Sequence, residues 1–289
     1  MNPLRLRVDV CTYRGLRDGV PGVLEVLKRA KARATFYVTF GPDASGLALL
    51  KLFNPKFVLK MFRTKAASTY GWATAFYGTL LPSPLVGAGL PDTLKRIRDE
   101  GHELGLHGWD HRRWQDGLPK YDAARLKDEF SKMVDAHRSI LGAGPSSFAA
   151  PAWLLSPDLF DLEQQAGLTF ASDTRGREPF LPTFQGREGT LPQIPVTLAT
   201  LDECLGRVTP EEFVAESLRE AAAQAGHACF TAHAESEGMA YKAVLEEFLA
   251  KLDRPVTPLG ETPLAGLPRK EIRLGRVPGR PYDVCLQAD

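Results

Sequence analysis

Short apolar segments alternate with amphipathic helical ones along most of this chain, and few architectures accommodate that rhythm. A strand that feeds a helix which returns to a parallel strand builds either an open parallel sheet or a barrel. The segments read as strands at 4–11, 34–40, 102–107, 169–172, 193–196 and 228–233, with a short one near Val256. Between them the periodicity predicts helices over 20–31, 91–100, 122–141, 210–224 and 241–252. The 122–141 helix carries Leu126, Phe130, Met133, Val134 and Leu141 on one stripe and is closed by Gly142. The 210–224 helix opens with Thr209, Pro210 and Glu212, a capping-box start. At 289 residues the whole chain, 1–289, is expected to form one catalytic-size domain, with an extended basic tail over 265–289 rich in Gly and Pro around 269–280.

Charge and cysteine usage narrow the function classes. The formal net charge is +1, so there is no basic excess of the kind that binds nucleic acid broadly. The opening residues alternate charged and apolar types, unlike a secretory signal or a membrane span. Cys11, Cys204, Cys229 and Cys285 have no paired spacing, which argues against a disulfide framework and for a reducing cytoplasm. Neither a serine-hydrolase elbow nor a phosphate-cradling Gly-Lys-Ser loop is present.

One stretch breaks the rhythm. Between Asp43 and Asp92 there are five basic residues (Lys51, Lys56, Lys60, Arg63 and Lys65) and no acidic one. Lys56, Lys60 and Arg63 share one helical face, while Phe57, Val58, Met61 and Phe62 share another. An aromatic run through Tyr70, Trp72, Phe76 and Tyr77 follows, broken by glycines and prolines. The 44–90 region therefore reads as an insertion lying in an anionic membrane surface, or as a solvated loop folded over its own apolar residues.

Polar residues suited to chemistry gather at four of the strand ends. His107 and His111, in HGWDH, stand four apart where a strand stops and can both point at one metal ion; two surface histidines beside Arg112 and Arg113 are the bland alternative. Asp9 and Cys11 are two apart on the first strand and so face the same way, one as a base or ligand and the other as a thiolate ligand. His233, in HAESEG, ends a late strand and suits a general acid, with Glu235 beside it. Arg175, in SDTRG, suits a phosphate or a carboxylate, and a plain ion pair equally well. His102 reads as structural, and His137 and His227 as ordinary surface residues.

At these residues the chain resembles the polysaccharide deacetylase superfamily. The stretches that carry the likeness are RVDVCTYRG (7–15), GPD (41–43), AASTYGW (66–72), GLHGWDH (105–111), QIPVTL (193–198) and HAESEG (233–238). Several of them resemble, within that superfamily, the deformylases that act on 4-deoxy-4-formamido-arabinose linked to undecaprenyl phosphate. The resemblance implies a distorted (β/α) barrel of the NodB-homology type, here with a membrane-facing helical insertion. It implies a hydrolase of carbon–nitrogen bonds in a linear amide, with Asp9 as catalytic base, His107 and His111 as metal ligands and His233 as general acid. The implied cofactor is a divalent metal, zinc in the first place, with cobalt or manganese as alternatives. The implied partners are the lipid-linked formamido-sugar, met by Arg175, Glu235, Tyr70 and Trp72, and an anionic membrane surface, met by Lys56, Lys60 and Arg63. Such enzymes work at the inner face of the bacterial inner membrane, in the aminoarabinose modification of lipid A that confers polymyxin resistance.

Two departures from the family pattern stand out. Cys11 occupies the place of a second Asp ligand, and FAAPAW (148–153) lacks the Arg that in the family holds the catalytic Asp. Arg175 is the expected substitute. A saccharide N-deacetylase and a non-catalytic glycolipid-binding relative are the rival readings.

Overall fold

The computed structural model describes residues 2–48 and 74–289. Lys56, Lys60, Arg63, Tyr70 and Trp72 therefore lie outside the described residues. The frame is a parallel sheet in the order β5-β4-β3-β2-β1-β8, with β9 also pairing β1. Its strands are β1 (Leu4–Val10), β2 (Thr35–Val38), β3 (Glu103–Leu106), β4 (Ser147–Phe148), β5 (Phe170–Ala171), β8 (Ala228–His233) and β9 (Val256–Thr257). All pairings among them are parallel. Every residue of β1 is buried, as expected of a central strand covered on both faces.

Helices cover this sheet: α1 (Val20–Ala30), α2 (Pro91–Asp99), α3 (His111–Gly117), α4 (Ala123–Leu141), α5 (Leu159–Gln165), α6 (Leu201–Cys204), α7 (Pro210–Ala223), α8 (Ala234–Glu237) and α9 (Lys242–Lys251). The long ones start and stop where their sequences dictate. Asp122 caps α4 by accepting from the Arg125 amide at 2.8 Å, and Gly142 ends it in the left-handed conformation at φ 74°. Thr209 and Glu212 form the capping box of α7.

One expectation is corrected here and one is refined. Residues 193–196 make isolated bridges to Ala171, Phe180 and Arg175 and no laddered strand. Pro192 and Pro195 have no N–H to give to a ladder. The segment nonetheless spans the gap between the outer strands: the Ile194 amide donates to Ala171 O at 2.8 Å and the Thr197 amide to Cys229 O at 3.1 Å. An irregular segment thus bridges the opening of the distorted barrel. The basic tail, expected as an extended surface segment, pairs into a second sheet of order β11-β10-β6-β7. Its strands are β6 (Leu181–Phe184), β7 (Arg187–Glu188), β10 (Arg269–Arg276) and β11 (Asp283–Gln287).

Candidate metal centre and catalytic site

The carboxyl ends of β1, β3 and β8 converge, and each carries its polar residues there. On β1 the two-residue alternation puts Arg7 and Asp9 on one face. Arg7 grips Asp9 with two parallel bonds, Nε to Oδ1 at 2.6 Å and Nη2 to Oδ2 at 2.7 Å, and both side chains are almost wholly buried. Arg7 also donates to the Ser172 carbonyl, and its guanidinium lies 5.1 Å from the Tyr37 ring centre and 5.5 Å from that of Trp153. Burial alone would push the Asp9 carboxyl up. The Arg7 charge and bonds, with His107 and His233 nearby, outweigh it and hold Asp9 at about 2. Asp9 is therefore an anion at neutral pH, oriented by a fork that leaves little rotation.

His107 follows β3. Its Nδ1 bonds the Ala149 carbonyl at 2.8 Å, which fixes the ring and turns Nε2 toward Asp9 Oδ2, 3.7 Å away. The next residue, Gly108, has φ +77°, and a Cβ there would lie 2.8 Å from Pro151. Only glycine permits the reversal that brings His111 back beside His107. His111 is the first residue of α3, whose N-cap Asp110 accepts from the Arg113 amide at 2.9 Å. The two imidazole rings are 5.0 Å apart. Burial pushes His107 down to about 4 and His111 well below its ordinary range, so both are neutral, the form that ligates metals.

Cys11 completes a cluster in which the ligand atoms of Cys11, His107 and His111 all lie within 4.8 Å of one another. Two neutral imidazoles, one already oriented by a backbone carbonyl, and a sulfur are a donor set that fits a divalent ion such as zinc. Burial, with Glu235 and Asp9 close by, pushes the Cys11 thiol well above its ordinary value, so a nearby cation is what would ionise it.

His233 ends β8 directly opposite Asp9 in the parallel register. Its Nδ1 is 3.9 Å from Asp202 Oδ1. Burial disfavours its charged form, but Asp202, Asp9 and Glu237 together outweigh burial and raise its pKa, while Arg280 opposes them. His233 therefore holds a proton more tightly than a free histidine would.

Several expected roles change in the structure. Arg175 does not approach Asp9. It donates to Glu203 Oε1 at 2.8 Å and Leu198 O at 2.8 Å, and the arginine that bonds Asp9 is Arg7. Glu235, expected at the substrate, is 1% exposed, and its Oε1 accepts from the Cys11 and Thr12 amides at 2.7 Å each and from Thr12 Oγ1 at 2.9 Å. It holds the turn after β1, and Gly15 leaves it room, since a Cβ there would sit 2.1 Å from Oε1. His137 is buried against Phe40, and His227 bonds the Pro195 carbonyl at 3.0 Å, so neither is an ordinary surface residue. His102 is structural, its Nδ1 meeting the Ala34 amide at 3.3 Å.

Sequence reasoning missed Arg7, although the alternation that paired Asp9 with Cys11 places it on the same face. It also missed Asp202 and Trp153, for which no local signal exists. Ala152 and Trp153 both have positive φ, 59° and 54°, a conformation that non-glycine residues seldom adopt. That turn sets the indole beneath the guanidinium of Arg7.

Comparison with known proteins places these features. The polysaccharide deacetylase family model matches residues 6–171. A protein of Shewanella sediminis named "Probable 4-deoxy-4-formamido-L-arabinose-phosphoundecaprenol deformylase ArnD" is 38% identical over 246 residues, 84% of this chain and 79% of that one. A protein of the same name from Wigglesworthia glossinidia brevipalpis is 33% identical over 81% of this chain and 82% of its own. The crystal structure of a putative polysaccharide deacetylase from Mycobacterium smegmatis shares the fold, with a TM-score of 0.58 at 17% identity, over 89% of this chain and 87% of that one.

Proposed function

Because the chain belongs to the polysaccharide deacetylase family, we propose that it is a metal-dependent amide hydrolase that removes the formyl group from 4-deoxy-4-formamido-arabinose carried on undecaprenyl phosphate. The observation that carries this reading is the placement of Asp9 and His233, opposite each other on adjacent strands, beside the Cys11, His107 and His111 donor cluster. The deformylase names of the two relatives support the choice of substrate.

Cys11, His107 and His111 would hold the metal, which when bound supplies Lewis-acid polarisation of the amide carbonyl and a water of lowered pKa. The remaining chemistry belongs to the chain. Asp9, kept anionic by Arg7, takes the proton from the attacking water. His233, kept protonated by the carboxylates around it, delivers a proton to the sugar nitrogen. An amide nitrogen leaves poorly as an anion, so it needs a proton from an acid distinct from the base, the part His233 takes. A thiolate among the ligands favours zinc over harder ions.

The lipid-linked substrate gives the basic 44–90 region a role at the inner face of the inner membrane, with Lys56, Lys60 and Arg63 meeting anionic headgroups and Tyr70 and Trp72 meeting the substrate. Support comes from exposed apolar side chains in its last, described part: Leu80 is 78% exposed, Leu81 42% and Leu85 44%. No helix among the described residues is long and apolar enough to cross a membrane. The test is direct. Zinc-loaded protein incubated with the lipid-linked formamido-sugar should release formate, and do so faster than it releases acetate from the acetamido analogue. Absence of formate from active-site-intact, metal-loaded protein refutes the reading.

A further inference from the structure

The acid side of the site is braced by a part of the chain that the hydrolytic chemistry does not itself require. β10 and β11 form an antiparallel hairpin, paired from Ile272↔Gln287 to Arg276↔Asp283, and the turn between them folds back onto α6. Gly279 in that turn has φ +95°, and a Cβ there would lie 2.3 Å from the Glu203 carbonyl oxygen, so the two backbones touch. The next residue, Arg280, has a side chain only 7% exposed. Its Nε donates to Glu203 Oε1 at 2.9 Å, and its Nη2 donates to Asp202 Oδ1 at 3.1 Å and to Thr200 Oγ1 at 3.2 Å. The guanidinium lies 4.5 Å from the Trp153 ring centre. Arg175 donates to the same Glu203 oxygen from the other side, and β11 clamps its backbone: the Arg175 amide bonds Cys285 O at 3.0 Å and the Gln287 amide bonds Arg175 O at 2.8 Å.

α6 is a single turn of four residues, opened by the Thr200–Glu203 capping box. It carries Asp202, the carboxylate facing His233 Nδ1. Two adjacent acidic side chains repel each other; Thr200 bonds both, its Oγ1 donating to Asp202 Oδ1 at 2.6 Å and its amide to Glu203 Oε2 at 3.0 Å, and Arg280 adds a rigid cationic fork that offsets the repulsion. We propose that Arg280, delivered by the C-terminal hairpin, is a positioning residue for the reaction: it fixes Asp202, and through Asp202 the imidazole of His233, for proton delivery to the leaving amine. The inference rests on the assignment of His233 as the general acid.

The experiment uses full-length, zinc-loaded protein carrying Arg280→Gln, Arg280→Ala or Arg280→Lys, each alone and combined with His233→Ala. On a formamido-sugar substrate, Arg280→Gln and Arg280→Ala should lower kcat by about 10- to 100-fold, part of the 10²–10⁴ that proton transfer contributes, with KM within about twofold. Metal content should be unchanged. Arg280→Lys keeps the charge but cannot span both carboxylates, and should recover part of the loss. In the His233→Ala background the Arg280 substitutions should cost nothing further, because a residue acting through His233 has nothing left to position. A purely structural role would lower kcat by the same factor in both backgrounds, and that result overturns the proposal, as does unchanged kcat in Arg280→Gln. If Arg280→Ala does not fold, the Gln and Lys variants decide. Wild-type protein that turns over no N-acyl sugar overturns the hydrolase reading itself, a failure distinct from normal wild-type turnover with insensitive Arg280 variants.

Discussion

Replacing Arg7 by Met should destabilise the protein and shift the titration of Asp9, the proposed base, and the structure sets the scale. Asp9 is held at about 2 against an ordinary 3.8. At about 1.4 kcal/mol per pKa unit, that difference is roughly 2 kcal/mol of native-state stability. The sign follows from the depressed value: the contribution is fully present above pH 3.8 and is lost as pH falls toward 2. Arg7→Met removes it and also leaves a buried carboxylate with no bonded counter-ion, so the total cost at pH 7 should approach the ~3–5 kcal/mol typical of a broken buried pair. Burial then raises the pKa of Asp9 above 3.8, so the cost should shrink as pH is lowered toward 3. Urea unfolding at pH 7 and pH 3 measures both. Arg7→Met/Asp9→Asn should be more stable at pH 7 than Arg7→Met alone, because no unpaired charge remains buried. The acidic limb of the activity profile should move to higher pH in Arg7→Met, since Asp9 must lose its proton before it can act. Equal stability of Arg7→Met and wild type at pH 7, or a double variant as unstable as the two single losses added, would refute the account of Arg7 as the counter-ion of Asp9. Arg7→Lys, with the charge but no fork, should fall between the two.

Further outcomes follow from the same geometry. Asp9→Asn and His233→Ala should each lower kcat by about 10²–10⁴ with the fold retained, as loss of a general base or acid does; near-normal turnover in either removes that residue from the mechanism. His107→Ala and His111→Ala should lose most of the bound metal by elemental analysis, since each deletes a donor from the cluster. Cobalt-substituted wild type should show an intense near-ultraviolet sulfur-to-metal band that Cys11→Ser lacks; a wild type without the band means that Cys11 is not a ligand. Binding to anionic vesicles should weaken with salt and when Lys56, Lys60 and Arg63 are changed to Glu, and binding indifferent to both would count against a membrane-surface role.

The sequence by itself determined the strand–helix rhythm and where its strands stop, because hydrophobic periodicity, caps and terminal glycines are local properties that act within a few residues. It therefore located Asp9, Cys11, His107 and His233 at strand ends, and Thr209 and Asp122 at helix starts. Which strand ends meet is a different kind of question, settled by pairing between residues far apart in the chain. Asp9 faces His233 only because β8 docks beside β1 in that register. That Arg7 and not Arg175 bonds Asp9 was decided in the same way: both are arginines near acidic residues in the sequence, but Arg7 shares a strand face with Asp9, whereas α6 and β11 draw Arg175 to Glu203. Glu235 turned from a candidate substrate contact into the anchor of the turn after β1, because its carboxylate is buried against the Cys11 and Thr12 amides. Residues 193–196 have strand composition, but their prolines deny them a ladder, and the tertiary structure uses them to bridge β5 and β8. Arg280 gave no sign in a basic tail of similar residues. Only the return of the C-terminal hairpin onto α6 buries that one guanidinium between two carboxylates, and such long-range burial leaves no local periodic trace in the sequence.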